Sequence, residues 1–278
     1  MTIIETPVAM QAWSFEQKAA GKTIGFVPTM GALHEGHASL MRAAAEENDV
    51  SVASIFVNPT QFAPTEDLDR YPRTFEADCA MAEGIGTNVI YAPKASTMYP
   101  DGYETYVEVR HLTERLCGAS RPMFFEGVCT VVTKLFNAVR PHRAYFGQKD
   151  AQQAAVIRRM TRDLDFGIEI VEMPIVREPD GLAMSSRNGY LTPEERGQST
   201  CLSRGLFKAL DMLKDGERDA DVLVKTVREA MADVDIDYVE LVDAETIQPV
   251  DRVEGTILLA VAARAGTTRL IDNIKFTV

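Results

Sequence analysis

Two histidines, His34 and His37, stand three residues apart in the segment PTMGALHEGH, which directly follows the apolar run Thr23–Val27. Residues three apart on a helical turn share a face, so the two imidazoles are expected to point the same way. Gly31 and Gly36 allow the main chain to approach a ligand closely, and exposed N–H groups at a helix start favour phosphate. The spacing predicts a phosphate site whose imidazoles donate hydrogen bonds to a reacting phosphoryl group. Surface histidines around a helix cap are the alternative interpretation.

A second segment, GLAMSSRNGYL at 181–191, places two small hydroxyl side chains beside a cation. Ser185, Ser186 and Arg187 are suited to a loop that closes over triphosphate oxygens, because hydroxyls and a guanidinium both donate to such oxygens. The flanking glycines and Asn188–Gly189 are typical of flexible chain. We expect residues 184–187 to be more mobile than Met30–His37 in the ligand-free protein. A polar interdomain linker is the alternative.

Two further segments carry polar side chains suited to substrate recognition. In AYFGQKDAQQ, Lys149 can place a point charge on phosphate, Asp150 can cap a helix or hold Mg²⁺ through water, and Gln153 lies one turn further on. In SIFVNPTQF, the amides of Asn58 and Gln61 can bind a hydroxyl or carboxylate without adding charge. Taken singly, the first segment reads as a charged loop and the second as a turn around proline.

The composition is that of an ordinary globular protein, 46% hydrophobic and 25% charged. A formal net charge of −12 argues against nucleic-acid binding, which needs a basic face. The first residues lack the pattern of a signal peptide, and no apolar run has the length of a membrane span, so we expect a cytoplasmic protein without a membrane partner. The cysteines show no metal-site spacing and are expected to be reduced and structural. They are Cys79, Cys117, Cys129 and Cys201.

The elements that must position these segments alternate between strand and helix through the first two-thirds of the chain. The predicted strands are Thr23–Val27, Val50–Val57, Asn88–Tyr91, Ala144–Phe146 and Ile168–Val171. The predicted helices are Gly36–Glu47, Thr74–Glu83, Gly127–Val139 and Asp150–Leu164. This alternation favours an α/β fold with a parallel sheet and helices on both faces. Because ligands bind outside the carboxyl ends of such strands, the polar residues after three of them are expected to converge.

The pattern changes after residue 187. Thr192 begins a capping box with Glu195, from which one long helix is predicted to run to Leu213, followed by a second helix over Ala220–Ala232. Three alternating segments then predict a small antiparallel sheet. These strands are Asp237–Val242, Thr256–Ala262 and Arg269–Phe276.

His34-Glu35-Gly36-His37 resembles the H-x-G-H signature of a nucleotidyltransferase superfamily that includes class I aminoacyl-tRNA synthetases. Met184-Ser185-Ser186-Arg187 resembles the mobile K-M-S-K-S-type loop of that superfamily. Nearly the whole chain resembles the pantothenate synthetase family, the pantoate–β-alanine ligases. The further segments that match, in family order, are FVNPTQF, DLDRYPRT, GASRP, KLFN, FGQKD and QQ. The resemblance implies a Rossmann-like N-terminal domain over 1–183, a smaller α+β C-terminal lid domain over 184–278, and a homodimer.

The resemblance also implies the substrates pantoate, β-alanine and ATP, with Mg²⁺ accompanying ATP. It assigns His37, His34 and Lys149 to catalysis, and Gln61, Gln153 and Asn58 to pantoate and β-alanine. The residues implied for ATP are Met30, Gly31, Ala32, Leu33, His34, Glu35, Gly36, His37, Gly147, Gln148, Lys149, Asp150, Val176, Met184, Ser185, Ser186 and Arg187. One segment departs from the family, which usually reads Arg-Pro-Gly-His-Phe where this chain has Arg121-Pro122-Met123-Phe124-Phe125.

Other functions are compatible with parts of this pattern. A nucleotidyltransferase that acts on a phosphorylated acceptor would need basic residues where Gln61 and Gln153 stand. A tRNA synthetase is disfavoured by the acidic balance and by the lack of an obvious anticodon-binding domain. A non-catalytic nucleotide-binding protein of the same fold would not need both histidines, Lys149 and the Ser-Ser-Arg triplet.

Overall fold

The computed structural model describes residues 1–64 and 66–278. Its larger sheet has six strands in the order β1-β4-β3-β2-β5-β6, and every neighbouring pair is parallel. The strands are β1 (Thr2–Ile4), β2 (Ile24–Thr29), β3 (Val50–Ile55), β4 (Val89–Tyr91), β5 (Arg143–Gly147) and β6 (Glu169–Met173). β2, β3 and β4 are almost wholly buried, as expected for apolar runs in a parallel sheet covered on its faces.

Helices connect these strands. They are α1 (Pro7–Ala19), α2 (Glu35–Glu46), α3 (Phe75–Ile85), α4 (Ala95–Met98), α5 (Cys117–Ser120), α6 (Phe124–Val139) and α7 (Ala151–Asp163). The predicted α/β, Rossmann-like class is confirmed, and each of the five predicted strands and four predicted helices is present within a few residues of its expected bounds. The sequence did not predict β1, α1, α4 or α5. The three-residue strand β1 and the four-residue helices α4 and α5 are too short to show a period.

The C-terminal region forms the predicted antiparallel sheet, β7 (Asp235–Asp243), β8 (Thr256–Ala265) and β9 (Thr268–Thr277). The capping box at Thr192 and Glu195 is also present. The single long helix expected to reach Leu213 is wrong, because the chain forms α8 (Pro193–Ser199) and α9 (Cys201–Lys214) with Thr200 between them. The hydroxyls of Ser199 and Thr200 bond to carbonyls of the preceding turn, which competes with a regular helix.

A further helix, α10 (Ala220–Ala230), packs with α9 against this sheet, so that Leu206, Leu223 and Ile257 lie in one apolar core. The four cysteines carry free thiols, and all but the partly buried Cys79 are buried. No helix among the described residues has the length and apolar character needed to cross a membrane.

Two compact units make up the described chain. The first comprises Met1–Arg110, Arg121–Gly147 and Val156–Met173, and the second comprises His111–Ser120, Gln148–Ala155 and Pro174–Val278. Each has its own sheet and core. Each unit contains several separate stretches of the chain, whereas the expected domains were the continuous ranges 1–183 and 184–278. That division remains a prediction.

Candidate active site

The segment with the two histidines leaves the sheet at its topological switch point. β2 pairs with β3 on one side and β5 on the other, and the chain order reverses direction here. In open parallel sheets this is where adjacent loops separate and leave room for a ligand. The residues from Met30 to His37 follow the carboxyl end of β2 and lead into α2.

A tight turn at Gly31-Ala32 begins this segment, and the buried carboxylate of Asp78 holds it. Both turn residues have positive φ, 82° for Gly31 and 50° for Ala32. The Asp78 oxygens accept the N–H groups of Ala32 and Leu33 at 3.0 and 2.9 Å, and the Thr74 hydroxyl also donates to Asp78 at 3.0 Å. Asp78 on α3 is 2% exposed and thereby fixes the path from β2 to the histidines.

The two histidines lie together at the start of α2, with ring centroids 4.1 Å apart. His34 is the N-cap residue, and its Nδ1 accepts the N–H of Gly36 at 3.1 Å. The Nδ1 of His37 accepts the N–H of His34 at 3.4 Å. Because Nδ1 is an acceptor in both rings, the ring proton lies on Nε2 in each. Both expected arrangements are therefore present, since the histidines cap the helix and also share a face.

Several main-chain N–H groups of this segment bind acceptors within the protein. The N–H groups of Ala32 and Leu33 bind Asp78, that of Gly31 binds the Thr29 hydroxyl, and that of Gly36 binds His34. These four N–H groups therefore already have acceptors within the protein. The imidazole Nε2–H groups are further donors that this segment carries, and main-chain binding of phosphate at the start of α2 stays a prediction.

Asn58 and Gln61 follow the neighbouring strand β3 and form a hydrogen-bonded pair. The Asn58 side chain is 1% exposed, and its Nδ2 donates to Gln61 Oε1 and to the carbonyl of Gly127, both at 3.1 Å. Its Oδ1 accepts from the Tyr99 hydroxyl at 2.8 Å and from Thr60. A carbonyl can only accept and a main-chain N–H can only donate, so these partners fix the orientation of the Asn58 amide.

That orientation is passed on to Gln61. Its Oε1 accepts from Asn58, so Nε2 is the donor end of the side chain. This Nε2 lies 3.3 Å from the sulfur of Met30, to which it donates. A glycine is required at position 127 on α6. A Cβ there would lie 2.7 Å from the main-chain nitrogen of Gln61 and would also collide with the Thr60 carbonyl. Burial raises the pKa of Tyr99 to about 12, so its hydroxyl stays protonated and can donate to Asn58 even in moderately alkaline solution.

The segment that departs from the family pattern also contacts Gln61. Arg121 donates to the Gln61 carbonyl at 3.1 Å and forms a bidentate pair with Glu66 at 2.6 and 2.7 Å. The Phe124 ring lies 3.8 Å from the guanidinium carbon, within the range of a cation–π contact. Phe124 therefore packs against the guanidinium that donates to the Gln61 carbonyl.

In the second unit, a 3₁₀ turn over Gln148–Asp150 directly follows β5 in the chain. The carbonyls of Gln148 and Lys149 both accept from the side chain of Asn273. Gln153 is partly buried on the first turns of α7, whereas its neighbour Gln152 is buried and bonds the main chain of residues 112, 115 and 117.

The 181–191 segment is more firmly attached than the sequence suggested. Val176 accepts the N–H of Met184 at 3.0 Å, and the Asn188 amide donates to Glu178 at 2.8 Å and to the Ala183 carbonyl at 3.1 Å. Ser185 caps a short 3₁₀ helix over Ser186–Tyr190. Asn188 is 7% exposed, so the interpretation of Asn188 as a flexible flank is wrong, because its side chain is buried and bonded.

Two features of these sites could not be read from motif spacing. Asp78 lies in a predicted helix, where the only hint is a carboxylate that shares a face with buried Ala82. Asn273 lies in a predicted strand far from Lys149 in sequence, with no signal that connects the two. Among residues 1–64 and 66–278, no group of three or more His, Cys, Asp or Glu side chains could hold a metal ion.

Comparison with known proteins gives one family over the whole chain. The sequence model of the pantoate–β-alanine ligases matches residues 2–275. Pantothenate synthetase from Acetivibrio thermocellus is 54% identical over 99% of both chains, and that from Thermotoga petrophila is 56% identical over 98% of this chain and 99% of the relative.

Solved structures agree with this result. Pantothenate synthetase from Thermus thermophilus superposes with a TM-score of 0.93 at 42% identity, covering 99% of both chains. The pantoate–β-alanine ligase from Francisella tularensis, complexed with beta-gamma ATP and β-alanine, has a TM-score of 0.79 at 32% identity and covers 99% of this chain and 97% of that one. With matching fold, family model and close relatives, the chain belongs to the pantoate–β-alanine ligase family.

Proposed function

We propose that this enzyme joins pantoate to β-alanine through a pantoyl adenylate. A carboxylate oxygen of pantoate attacks the α-phosphorus of MgATP, and the bond from that phosphorus to the bridging oxygen breaks to release pyrophosphate. The β-alanine amine then attacks the acyl carbon of the mixed anhydride. AMP leaves with the bond electrons, the amine loses a proton, and the amide product is pantothenate.

The paired imidazoles carry this proposal. Each Nδ1 accepts a main-chain N–H, so His34 and His37 direct Nε2–H donors from the same helix start. Donors held in place before the reaction stabilise charge that develops on a transferring phosphoryl group. We assign His37 and His34 to this role together with the Lys149 ammonium, and ATP contacts to the other residues that the family resemblance implies.

Substrate recognition is assigned to Gln61 and Gln153, with Asn58 acting through Gln61. Asn58 already uses its whole amide within the protein, so a direct contact with substrate would break existing bonds. We therefore propose that Asn58 positions Gln61. Mg²⁺ enters as part of the MgATP substrate. A homodimer with a C-terminal lid remains the expectation from the family resemblance, and a cytoplasmic location remains the expectation from the sequence pattern.

The decisive experiment is pyrophosphate exchange into ATP. Adenylate formation is reversible, so labelled pyrophosphate should enter ATP only when pantoate is present, and β-alanine should not be required. Exchange without pantoate, or none with all substrates at saturation, would reject the proposed first half-reaction. A phosphorylated acceptor that supports exchange in place of pantoate would favour a different transferase.

Replacement of Gln61 by alanine is expected to abolish productive use of pantoate and β-alanine while the affinity for ATP stays within a few-fold. The physical reason is that Asn58 holds Gln61 Oε1, so that Nε2 is the donor that we assign to a carboxylate or hydroxyl oxygen of pantoate. Calorimetric titration with each substrate measures the difference. The matched control is Gln248→Ala, an exposed glutamine of the second unit. A variant that loses mainly ATP affinity would place Gln61 at the nucleotide.

Arg187→Ala is expected to weaken the use of ATP without lowering the melting temperature, because this partly exposed side chain contributes little to the core. Hydrogen exchange of the amides of 182–189 should slow when ATP is added, as the hydroxyls and the guanidinium bind phosphate oxygens. Arg204→Ala, at an exposed arginine of α9, is the control. Unchanged exchange at saturating ATP would leave this segment as a connecting loop only.

A further inference from the structure

Two consecutive buried polar residues, Asp272 and Asn273, lie in the middle of β9, the last strand of the small sheet. They are 2% and 3% exposed and pair with Val261 and Ala260 of β8. A buried charge is expensive, and a well-packed apolar pair at such positions is often as stable or more so. The presence of these two polar residues in the core is therefore better explained by the segments to which they bond than by a gain in stability.

Asn273 holds the main chain of the Lys149 turn. Its Nδ2 donates to the carbonyls of Gln148 and Lys149 at 2.9 and 3.0 Å, and its Oδ1 accepts from Gln148 Nε2 at 3.2 Å. Both amide hydrogens and the amide oxygen are thus used on two consecutive residues. This fixes the orientation of the peptide units from which the Lys149 side chain extends.

Asp272 holds a different segment through Arg177. The guanidinium forms a bidentate pair with the carboxylate at 2.6 and 2.9 Å, and the same guanidinium donates to the carbonyl of Gly181 at 3.0 Å. Burial raises the pKa of Asp272 and Arg177 opposes that rise. Arg177 also pairs with Ala183 as an isolated antiparallel bridge, so the start of the Met184–Arg187 segment is attached to the same carboxylate.

The two side chains act on separate segments because successive residues of a strand point to opposite faces. The Asn273 N–H links them directly, since it donates to Asp272 Oδ1 at 2.7 Å. We propose that Asp272 and Asn273 are a pair of positioning residues that ties the Lys149 turn and the 181–187 segment to one strand. This inference rests on the proposed function, in which both segments contact ATP.

The pair sets the relative placement of two sets of ATP donors within the second unit. Phosphoryl transfer depends on such placement more than on binding strength, since preorganised donors do not have to be reoriented during the reaction. Loss of the pair should therefore raise the KM for ATP and slow adenylate formation. The KM for β-alanine, which reacts after pyrophosphate has left, should change little.

Isosteric substitutions separate the effect of Asn273 on the Lys149 turn from the effect of Asp272 on the 181–187 segment. Asn273→Asp replaces two donors by an acceptor that faces two carbonyls, so amide exchange over 148–151 should accelerate while 181–184 stays near wild type. Asp272→Asn weakens the Arg177 pair and should accelerate exchange over 181–184 first. Thr226→Val removes a buried hydroxyl of α10 that bonds to Val222 and serves as the control for general destabilisation. Equal acceleration across the unit in all three variants would overturn the inference.

Steady-state kinetics provide a second, independent test of the positioning role. We expect Asn273→Asp to reduce kcat/KM for ATP by roughly tenfold or more, with kcat/KM for β-alanine within about twofold. In combination with Lys149→Ala, the Asn273→Asp effect should largely disappear, because both act through one side chain. Fully multiplicative effects, or wild-type kinetics with only a lower melting temperature, would refute the positioning role. Wild-type adenylation by Lys149→Ala alone would instead reject the proposed role of Lys149, and the exchange data would still decide the inference.

Discussion

Replacing His37 with alanine is expected to slow adenylate formation by roughly 10²-fold or more, the usual cost of removing a transition-state donor. Pantoate affinity should change far less, since the lost hydrogen bond is made to the reacting phosphate. Single-turnover measurement of the first half-reaction with saturating substrates isolates the affected step. His111→Ala, at a side chain that is 81% exposed, is the matched control.

The cap at the start of α2 complicates that variant, because His37 Nδ1 also accepts the N–H of His34. Two further substitutions separate the roles. In His37→Asn, Oδ1 can replace Nδ1 as the cap acceptor while the Nε2–H donor is lost, so the rate should stay low with a near-normal melting temperature. In His37→Gln, the amide N–H can replace the Nε2–H donor, and the rate should partly recover. A normal single-turnover rate in His37→Asn would refute the assignment.

Asp78→Ala is expected to produce the second large loss. It leaves the partly buried N–H groups of Ala32 and Leu33 without their acceptor, and an unpaired donor costs about 1–3 kcal/mol when it is buried. The free energy of unfolding should therefore fall by about 2 kcal/mol or more. Release of the turn also displaces the histidines, and a shift of about 1 Å can cost about 10²-fold in rate.

Chemical denaturation and single-turnover kinetics on the same sample measure both effects. Asp78→Asn keeps one acceptor oxygen but turns an amide N–H toward a main-chain N–H, so its losses should be intermediate. Asp101→Ala, an exposed aspartate of the same unit, is the control. An Asp78→Ala protein with wild-type kinetics would show that the turn keeps its form without the carboxylate.

The sequence predicted those parts of the fold whose signals are local. The parallel strands are continuous apolar runs, and the Thr192–Glu195 capping box is a four-residue pattern, so both were found. The break at Thr200 was missed because side-chain hydroxyls there outcompete a favourable apolar period. β1 was missed because its stability comes from pairing with β4 rather than from its own three residues.

The site shows the same limit. The histidine spacing predicted two rings on one face, and the rings are together. Which N–H groups were available for phosphate could not be predicted, because Asp78 lies more than forty residues further along the chain. The buried amide of Asn188 and the hold of Asn273 on Lys149 are equally long-range or three-dimensional. Spacing identifies the groups that can react, whereas their supporting partners appear only in the folded chain.

The fixed amide of Gln61 has a consequence for selectivity. The Asn58 amide donates to Gln61 Oε1, so the Gln61 side chain is held with Nε2 as its donor end. A carboxylate or hydroxyl oxygen is complementary to that end, whereas an ammonium group would meet N–H against N–H. We therefore expect the uncharged Nε2 end of Gln61 to prefer the acid end of a zwitterion over its amine end. The discrimination originates in the carbonyl of Gly127, since that acceptor determines which way the Asn58 amide faces.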